Sequence, residues 1–405
     1  MKNNRLHTPA GTADLLVDST FAVANIQSII TDNFASFGYS MVNTPTFEYI
    51  DVFTDDSGRS DTKTMVKFFD GDGDILALRP DFTPAIARMA ATKFPAGEIY
   101  KFGYTGTAFI NSEAYSNVRQ KEFIQSGVEL LGVNSCEEDA EIIALTITSL
   151  LKSGLDEFQI EIGHAGFFKG LVFEAGLNDA ECEQLRLMTH RKDFVNIENF
   201  LKNRDVSPKT AELIAKLPHL FGDISVVREI STEGLNETSK NALENLSDIY
   251  NAICDYGFEK YISFDLGLVQ SLDYYTGMIF KGFTHNMGFP ICGGGRYDTL
   301  LERFGTNAPA TGVALWVDRI FAALTRNGAV IKAPTNDCLV TGSGKDAIYA
   351  ATALREQGLW TEIYFGDGDP KEYAISKGIK ELCEVLGGKM KITNLQTGET
   401  SVTEI

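Results

Sequence analysis

The chain has 405 residues, 44% of them hydrophobic, which is long enough for two or three domains around a large core. It carries 36 basic and 55 acidic residues, a formal net charge of −19. Because affinity for nucleic acid comes largely from Lys and Arg at the phosphates, this charge argues against a broad RNA-binding face.

Cysteine usage and the lack of long apolar segments predict the compartment. The six cysteines are scattered singly, with no CxxC pair and no His at ligand spacing, so neither a zinc site nor a disulfide framework is expected. No segment resembles a signal peptide or approaches the ~20 apolar residues of a membrane span. These features predict a cytoplasmic protein with no metal, no cofactor and no membrane contact.

The amino-terminal half is predicted to combine helices with pairs of strands. Apolar spacing predicts a helix over 21–37, and the next segment, 39–53, is predicted as a strand. Pro45 lies inside that strand and confines it to an edge or an interface. Further elements follow in chain order: a hairpin over 66–78 around the turn DGDGD, a hairpin over 99–132, a helix over 137–152 and a strand over 158–164.

The carboxyl-terminal half is predicted to contain a helical insertion and a separate small domain. Residues 167–257 have the pattern of successive short helices. A strand pattern returns at 262–266, and residues 312–324 have the pattern of a strand that passes into a helix. The predicted domains are 1–325, a linker over 326–336 and a small α/β domain over 337–405. GSGK at 342–345 lacks the spacing of a phosphate loop and is interpreted as a strand-to-helix turn.

One stretch, 268–296, concentrates polar groups between apolar runs in two predicted strands of a hairpin. It contains Asp273, Tyr274 and Tyr275, and a run of three glycines that ends at Arg296. This combination predicts the lining of a pocket.

Six segments in order resemble the class II histidyl-tRNA synthetases, over about residues 1–325. They are TPTFEYIDVF, LALRPDFT, VRQKEFIQSGVE, LVQSLDYYTGMIF, CGGGRYDTLL and GVALWVDRI. The resemblance implies an α+β fold: an antiparallel sheet with flanking helices, a helical insertion and a small carboxyl-terminal α/β domain. It also places Pro45 at a dimer-forming strand.

Departures from the synthetase pattern fall at positions that serve adenylation. Where the family has arginines that stabilise the charge of ATP and of the transition state, this chain has Ile110 and Gln270. A glutamate becomes Ser112, and a glycine beside the adenine becomes Trp316, although Arg319 is kept. The resemblance therefore implies that adenylation is lost and that the chain has no catalytic residues.

The amino-acid pocket of the family is largely retained. By resemblance, Asp81 and Gln125, with Thr83 beside them, would bind the ammonium of free histidine. Glu129 and Tyr274 would contact the imidazole, supported by Tyr275, and Gln270 would donate to the carboxylate. Each residue alone is equally well explained as a satisfied polar group of the core, but their joint survival beside the lost catalytic positions favours histidine binding. Asp81 stands for a glutamate, so its reach is one methylene shorter.

A chain with a histidine pocket, no adenylation and little means of binding RNA resembles the synthetase paralogues that serve as regulatory subunits of ATP phosphoribosyltransferase. That resemblance implies a homodimer within a hetero-oligomer, assembled with the short-form catalytic subunit, required for its activity and binding histidine for feedback inhibition. Two alternatives stay open: an active histidyl-tRNA synthetase with an unusual site, and a free-standing amino-acid sensor.

Overall fold

A computed structural model of the chain describes residues 4–54, 62–111, 120–202, 204–269 and 275–404. The chain divides into two units, Met1–Val330 and Ile331–Ile405. The helices of the first unit are α1 (Val17–Ser36), α2 (Thr83–Lys93), α3 (Cys136–Lys152), α4 (Ala165–Glu174), α5 (Asp179–His190), α6 (Phe194–Lys202), α7 (Pro208–Lys216), α8 (Ser225–Arg228), α9 (Glu237–Asp255) and α10 (Val317–Arg326). Its strands are β1 (Ser40–Met41), β2 (Phe47–Tyr49), β3 (Lys67–Phe69), β4 (Ile75–Leu78), β5 (Tyr100–Phe109), β6 (Glu122–Leu131), β7 (Phe158–His164), β8 (Phe221–Gly222), β9 (Ile262–Asp265), β10 (Met278–Thr284), β11 (Cys292–Arg296) and β12 (Ala310–Trp316).

A nine-stranded sheet forms the centre of the first unit, in the order β1-β5-β6-β12-β11-β10-β7-β9-β8. Its neighbours are antiparallel except at the parallel pairs β1–β5 and β7–β9. The predicted fold class, an antiparallel sheet flanked by helices, is confirmed. Helices α4 to α9 lie between β7 and β9 in the chain, where the helical insertion was predicted.

The two faces of this sheet have different coverings, and side chains alternate between them along each strand. Val128 and Leu130 of β6 belong to the largest core cluster, where helices α1, α3, α9 and α10 pack. Phe102, Tyr104 and Leu131 point to the opposite face, into a cluster that contains residues of α2. The same alternation places Gln125, Gly127 and Glu129 on the α2 face, where the predicted ligand site is.

Two local predictions about the first unit are wrong in extent. The predicted strand 39–53 is two short strands, β1 and β2, with Pro45 in the break between them. Proline has no N–H to donate to a ladder, and β2 joins a separate sheet of order β2-β4-β3. Helix α1 begins at Val17, four residues before the predicted start. Its first turn is largely exposed, so the apolar periodicity that predicts the rest of the helix does not extend over it.

The second unit is a five-stranded sheet of order β14-β13-β15-β16-β17 with two helices. Its elements are β13 (Cys338–Thr341), α11 (Gly344–Glu356), β14 (Thr361–Ile363), α12 (Pro370–Ser376), β15 (Glu381–Leu386), β16 (Lys389–Asn394) and β17 (Thr400–Glu404). Up to β15 the elements alternate strand and helix, which is the pattern of an α/β domain. The hairpin of β15 and β16 turns at Gly387 and Gly388, both at positive φ, which suits a tight hairpin turn and was missed in the sequence.

Candidate ligand-binding site

The site begins at the turn that leads from β4 into α2. Arg79 is buried and fixes this turn, since its Nε donates to the Thr107 carbonyl and a terminal nitrogen donates to the Thr44 carbonyl, each at 2.9 Å. The guanidinium also lies 4.0 Å from the centre of the Phe82 ring. Asp81 follows, and its Oδ1 accepts the Phe82 backbone N–H at 2.7 Å. Asp81 and Thr83 are thereby held at the amino end of α2.

Glu129 lies opposite this turn on β6 and is almost fully enclosed, with 1% of its surface exposed. Thr83 Oγ1 donates to Glu129 Oε1 at 2.5 Å, and the Tyr297 hydroxyl donates to Oε2. The carboxyl is thus positioned from both sides by hydroxyl groups. Each carboxylate oxygen has two lone pairs, so both can still accept a hydrogen bond from a ligand.

Two acidic groups share this enclosed space, and burial dominates their titration. Burial raises the pKa of Glu129 to about 8, against the hydrogen bonds from Thr83 and Tyr297 that lower it, and Asp81 raises it further. Burial also raises the pKa of Asp81, although the backbone N–H groups of Thr83 and Phe82 lower it. The enclosed Glu129 and the half-buried Asp81 are acceptors suited to a ligand that carries N–H groups or positive charge.

Tyr275 packs against the cluster that contains Phe82, Tyr104 and Tyr297. Burial raises the pKa of its phenol, and the charges of Asp81 and Glu129 raise it further. Its ring packs on the bare backbone of Gly295, where a Cβ atom would lie 2.9 Å from two ring carbons. The Tyr275 carbonyl accepts a hydrogen bond from Lys169 Nζ at 3.0 Å.

Gln125 lies on the same face of β6 as Glu129, four residues before it, and is 4% exposed. Within the described part of the chain its buried side-chain oxygen has no hydrogen-bond partner. A buried acceptor without a partner is costly, and a ligand donor would remove that cost.

Five of the seven predicted site residues are therefore located on or beside the α2 face of the sheet: Asp81, Thr83, Gln125, Glu129 and Tyr275. The other two, Gln270 and Tyr274, lie outside the described residues, as does Ser112. The ligand role of all seven stays a prediction.

Sequence reasoning missed two tyrosines of the site. Tyr297 donates to Glu129, and Tyr104 stacks on Phe82 with ring centres 4.5 Å apart. Burial raises the pKa of Tyr104 well above its usual value, with further contributions from Glu129 and Asp81. The hairpin register would have found Tyr104, since it pairs with Gly127 between the two predicted ligand positions of β6. Tyr297 follows Arg296 directly, but no motif or periodicity in the sequence marks it as a site residue.

Arg296 is not part of the pocket lining, contrary to the sequence interpretation of the stretch 268–296. It alternates to the helix-covered face of β11, where its Nε and a terminal nitrogen donate to the two carboxylate oxygens of Asp139 at 3.0 and 2.9 Å. It also pairs with Asp298 at 3.2 Å and donates to the carbonyls of Val133 and Ser135. Gly295 and Gly293, one and three residues before Arg296, face the site instead.

Three positions that the resemblance relates to adenylation, Ile110, Trp316 and Arg319, make contacts within the chain itself. Trp316 lies over Gly293, with ring carbons 3.5 and 3.7 Å from where a Cβ would be. Arg319 is 4.4 Å from the centre of a Trp316 ring and donates to the Pro290 carbonyl at 2.6 Å. Ile110, whose N–H donates to the Lys121 carbonyl at 2.8 Å, brings no charge. These contacts agree with the predicted loss of adenylation.

Among the described residues no group of three His, Cys, Asp or Glu side chains is arranged to hold a metal ion. Within the described ranges no helix has the length and apolar character that crossing a bilayer requires.

Gly312 tests how tightly the site is packed. A Cβ built on Gly312 would lie 2.0 Å from Glu129 Oε2 and 2.5 Å from the Val128 carbonyl oxygen, which are impossible contacts. We expect Gly312→Ala to displace Glu129 and to lower the free energy of unfolding by about 1–3 kcal/mol, the usual cost of overpacking. Urea denaturation measures this loss. Gly288→Ala is the control, since its Cβ would meet nothing within 4 Å, and equal stability of the two variants would contradict the packing described for Gly312.

Comparison with known proteins first defines the class of protein. The family model for histidyl-tRNA synthetase matches residues 11–320. The crystal structure of histidyl-tRNA synthetase from Nostoc sp. PCC 7120 has a TM-score of 0.79 at 18% identity, covering 98% of this chain and 96% of that one. At that identity the likeness shows the fold alone. The fold is that of a class II synthetase-like protein.

Closer relatives identify the family within this class. ATP phosphoribosyltransferase regulatory subunits from Acetivibrio thermocellus and Clostridium acetobutylicum are 42% and 36% identical, over 99% and 100% of this chain and 98% of each relative. A crystal structure from Bacillus halodurans, described as an ATP phosphoribosyltransferase regulatory subunit/histidyl-tRNA synthetase, is 28% identical with a TM-score of 0.81 and covers 94% of this chain and 98% of that one. The chain belongs to the ATP phosphoribosyltransferase regulatory subunit family. The predicted resemblance and the assignment as a regulatory rather than catalytic subunit are confirmed.

Proposed function

We propose that this regulatory subunit binds free histidine in the pocket formed by Asp81, Thr83, Gln125, Glu129 and Tyr275, completed by Gln270 and Tyr274. The observation that carries the proposal is the enclosed Glu129 carboxyl, held by the Thr83 and Tyr297 hydroxyls on the same face as the partnerless Gln125 oxygen, with the half-buried Asp81 next to Thr83 in the chain. Enclosed acceptors are a costly arrangement unless a ligand with complementary donors binds there. Histidine offers an ammonium and an imidazole N–H, which are donors of the required kind.

We propose a role for each side chain. Asp81 accepts from the ligand ammonium, and Gln125 supplies a second acceptor through its partnerless amide oxygen. Glu129, fixed by Thr83 and Tyr297, accepts the imidazole N–H, while the Tyr275 ring forms a wall beside it. A neutral Gln270 would donate to the ligand carboxylate without supplying the charge that phosphoryl chemistry needs.

The names of the relatives support a partner for this chain. We propose that it assembles with the short-form catalytic ATP phosphoribosyltransferase of histidine biosynthesis, which depends on it for full activity. Histidine is the end product of that pathway, so its binding here would inhibit the partner. Such feedback requires that histidine bind one state of the complex more tightly than another, because only differential affinity shifts an equilibrium. A cytoplasmic location suits this role and agrees with six free cysteines.

The chain is proposed to act as a homodimer within this complex. The small sheet β2-β4-β3 presents the exposed aromatic residues Phe47, Tyr49 and Phe68 on one face, and the rings of Phe47 and Phe68 are 5.6 Å apart, edge to face. Contiguous exposed aromatic surface is typical of a protein interface. This surface includes the strand that the sequence predicted to form a dimer.

A reconstitution experiment tests ligand and partner together. The activity of the purified short-form transferase is measured with and without this chain, across a series of histidine concentrations. We expect the chain to raise the activity and histidine to inhibit only when the chain is present. Equal inhibition without the chain would place the histidine site on the catalytic subunit and contradict the proposal. Normal charging of histidine tRNA by this chain alone would instead support the synthetase alternative, and histidine binding without any association with the transferase would support a free-standing sensor.

A further inference from the structure

We propose that Lys169, on the first helix of the insertion, is a positioning residue of the ligand pocket: it holds the Tyr275 main chain and thereby sets the Tyr275 ring against Gly295 and the cluster that contains Phe82, Tyr104 and Tyr297. The inference rests on the proposed function, since it assigns a control element to the same pocket. It also connects that pocket to the helical insertion, α4 to α9.

The main chain is held at three successive residues from Tyr275 onward. Lys169 Nζ donates to the Tyr275 carbonyl at 3.0 Å, and the Thr276 N–H donates to the Arg296 carbonyl at 2.8 Å. The Gly277 carbonyl accepts the Ala165 N–H at 2.9 Å. Two of these three contacts, those of Lys169 and Ala165, come from helix α4. The path of the main chain beside the site is therefore set largely by the insertion.

The side chain of Tyr275 has little freedom once its main chain is placed. Its ring packs directly on Gly295 and against the cluster that contains Phe82, Tyr104 and Tyr297. A shift of the Tyr275 main chain would carry the ring off the glycine and change the width of the pocket. Ligand affinity is sensitive to displacements of this kind because bound groups need close contacts.

Helix α4 is a firm support for this contact. It is apolar on nearly every side, with buried residues that include Phe167, Phe168 and Leu171. Gly170 packs against α9 so closely that a Cβ would lie 2.2 Å from Ser239 Oγ, and the Gly170 carbonyl accepts from Asn236 Nδ2 at 2.7 Å. Lys169 is the one basic residue of this helix, and it is half-buried. Because the helix is firmly packed, the hydrogen bond from Lys169 to the Tyr275 carbonyl can fix the main chain at Tyr275.

His164, at the start of the same helix, has a different role from Lys169. His164 caps α4, since its Nδ1 accepts the Gly166 N–H at 3.0 Å. Burial lowers the pKa of His164 to about 4, and the charges of Lys169 and Arg296 lower it further. The imidazole is thus neutral at pH 7, and the ammonium of Lys169 is the cation that this helix offers to Tyr275. Charge-assisted hydrogen bonds of this type are stronger than neutral ones.

The first test is isothermal titration with histidine. We expect Lys169→Met to weaken binding about tenfold, the effect of one charge-assisted hydrogen bond, and Lys169→Arg to restore most of the affinity. Lys240→Met is the matched control, because Lys240 is an α9 lysine of the same insertion whose partner is the exposed Glu237. We expect that variant to bind like the wild type. Histidine binding to Lys169→Met with wild-type affinity would overturn the inference while leaving the proposed function intact.

A double-mutant cycle separates positioning from general support of the fold. If Lys169 acts through the Tyr275 ring, then Lys169→Met should cost less than about twofold in affinity when Tyr275→Leu is already present. A purely structural lysine would instead give independent, multiplying losses, and that result would overturn the inference.

A readout without ligand keeps the inference testable if the wild type proves not to bind histidine, a result that would refute the proposed function alone. In the ligand-free protein we expect Lys169→Met to speed amide exchange in the segment from 275 to 284, and Lys240→Met to leave it unchanged. Unchanged exchange in Lys169→Met would show that the lysine does not hold this segment.

Discussion

Replacing Glu129 by glutamine should weaken histidine binding by about 10- to 100-fold, the range for a hydrogen bond to a charged group. The glutamine keeps the shape of the side chain but removes the carboxylate that would accept the imidazole N–H. Calorimetric titration at pH 8.5, above the pKa of about 8 that burial gives Glu129 and where its carboxyl is ionised, measures the loss. Glu237→Gln, at an exposed position of α9, is the control and should bind like the wild type. Equal affinity in Glu129→Gln would place the ligand elsewhere.

The same substitution should alter how stability depends on pH. Burial raises the pKa of Glu129 to about 8 in the folded protein, from an ordinary value of 4.5. Between these values the folded state holds a proton that the unfolded state has lost, so the free energy of unfolding falls as pH rises from about 4.5 to 8. The difference in melting temperature, Glu129→Gln minus wild type, should therefore become more positive across this window and level off above pH 8. A constant difference from pH 5 to 9 would be inconsistent with a buried, protonated Glu129.

The parts of the site that were predictable are those determined by local pattern or by resemblance. Alternation along β6 places Gln125 and Glu129 on one face, and the motif RPDFT brings Asp81 and Thr83 to the start of a helix. Those two segments meet where Thr83 donates to Glu129, 46 residues away. The resemblance had placed both residues in one pocket, although it did not predict this hydrogen bond and no periodicity in the sequence encodes it.

The parts that were not predictable depend on long-range contacts between single side chains. Arg296 ends the glycine run of a pocket strand, and its position in the sequence suggested a pocket cation. Its partner, Asp139, is 157 residues earlier, and the one-residue offset from Gly295 turns Arg296 to the opposite face. Lys169 and Tyr275, 106 residues apart, are a similar case. Local propensity carries no information about either pair, whereas it did find most helices and strands.

Breaking the ion pair of Arg296 and Asp139 should cause the largest loss of stability of any single substitution considered. Both side chains are enclosed, 5% and 1% exposed, and bonded through two nitrogens and two oxygens. Arg296→Met would leave Asp139 buried without its cation, which typically costs about 3–5 kcal/mol. Urea unfolding measures the loss. Lys216→Met, which breaks the exposed pair with Glu212, is the control and should lower the free energy of unfolding far less. Comparable losses in the two variants would refute a special role for the buried pair.

The loss in Arg296→Met should also depend on pH, in a direction that follows from Asp139. Burial already raises the pKa of Asp139, and the charge and hydrogen bonds of Arg296 oppose that rise. Without the arginine the pKa rises further, so the folded variant takes up a proton that the unfolded chain lacks at neutral pH. The variant should therefore be less destabilised at pH 5 than at pH 8. Tyr297 and Asp298 follow Arg296 directly, and they form hydrogen bonds with Glu129 and Thr276, respectively. We therefore expect Arg296→Met to lower histidine affinity as well as stability. Asp139→Asn should lower both by a smaller amount.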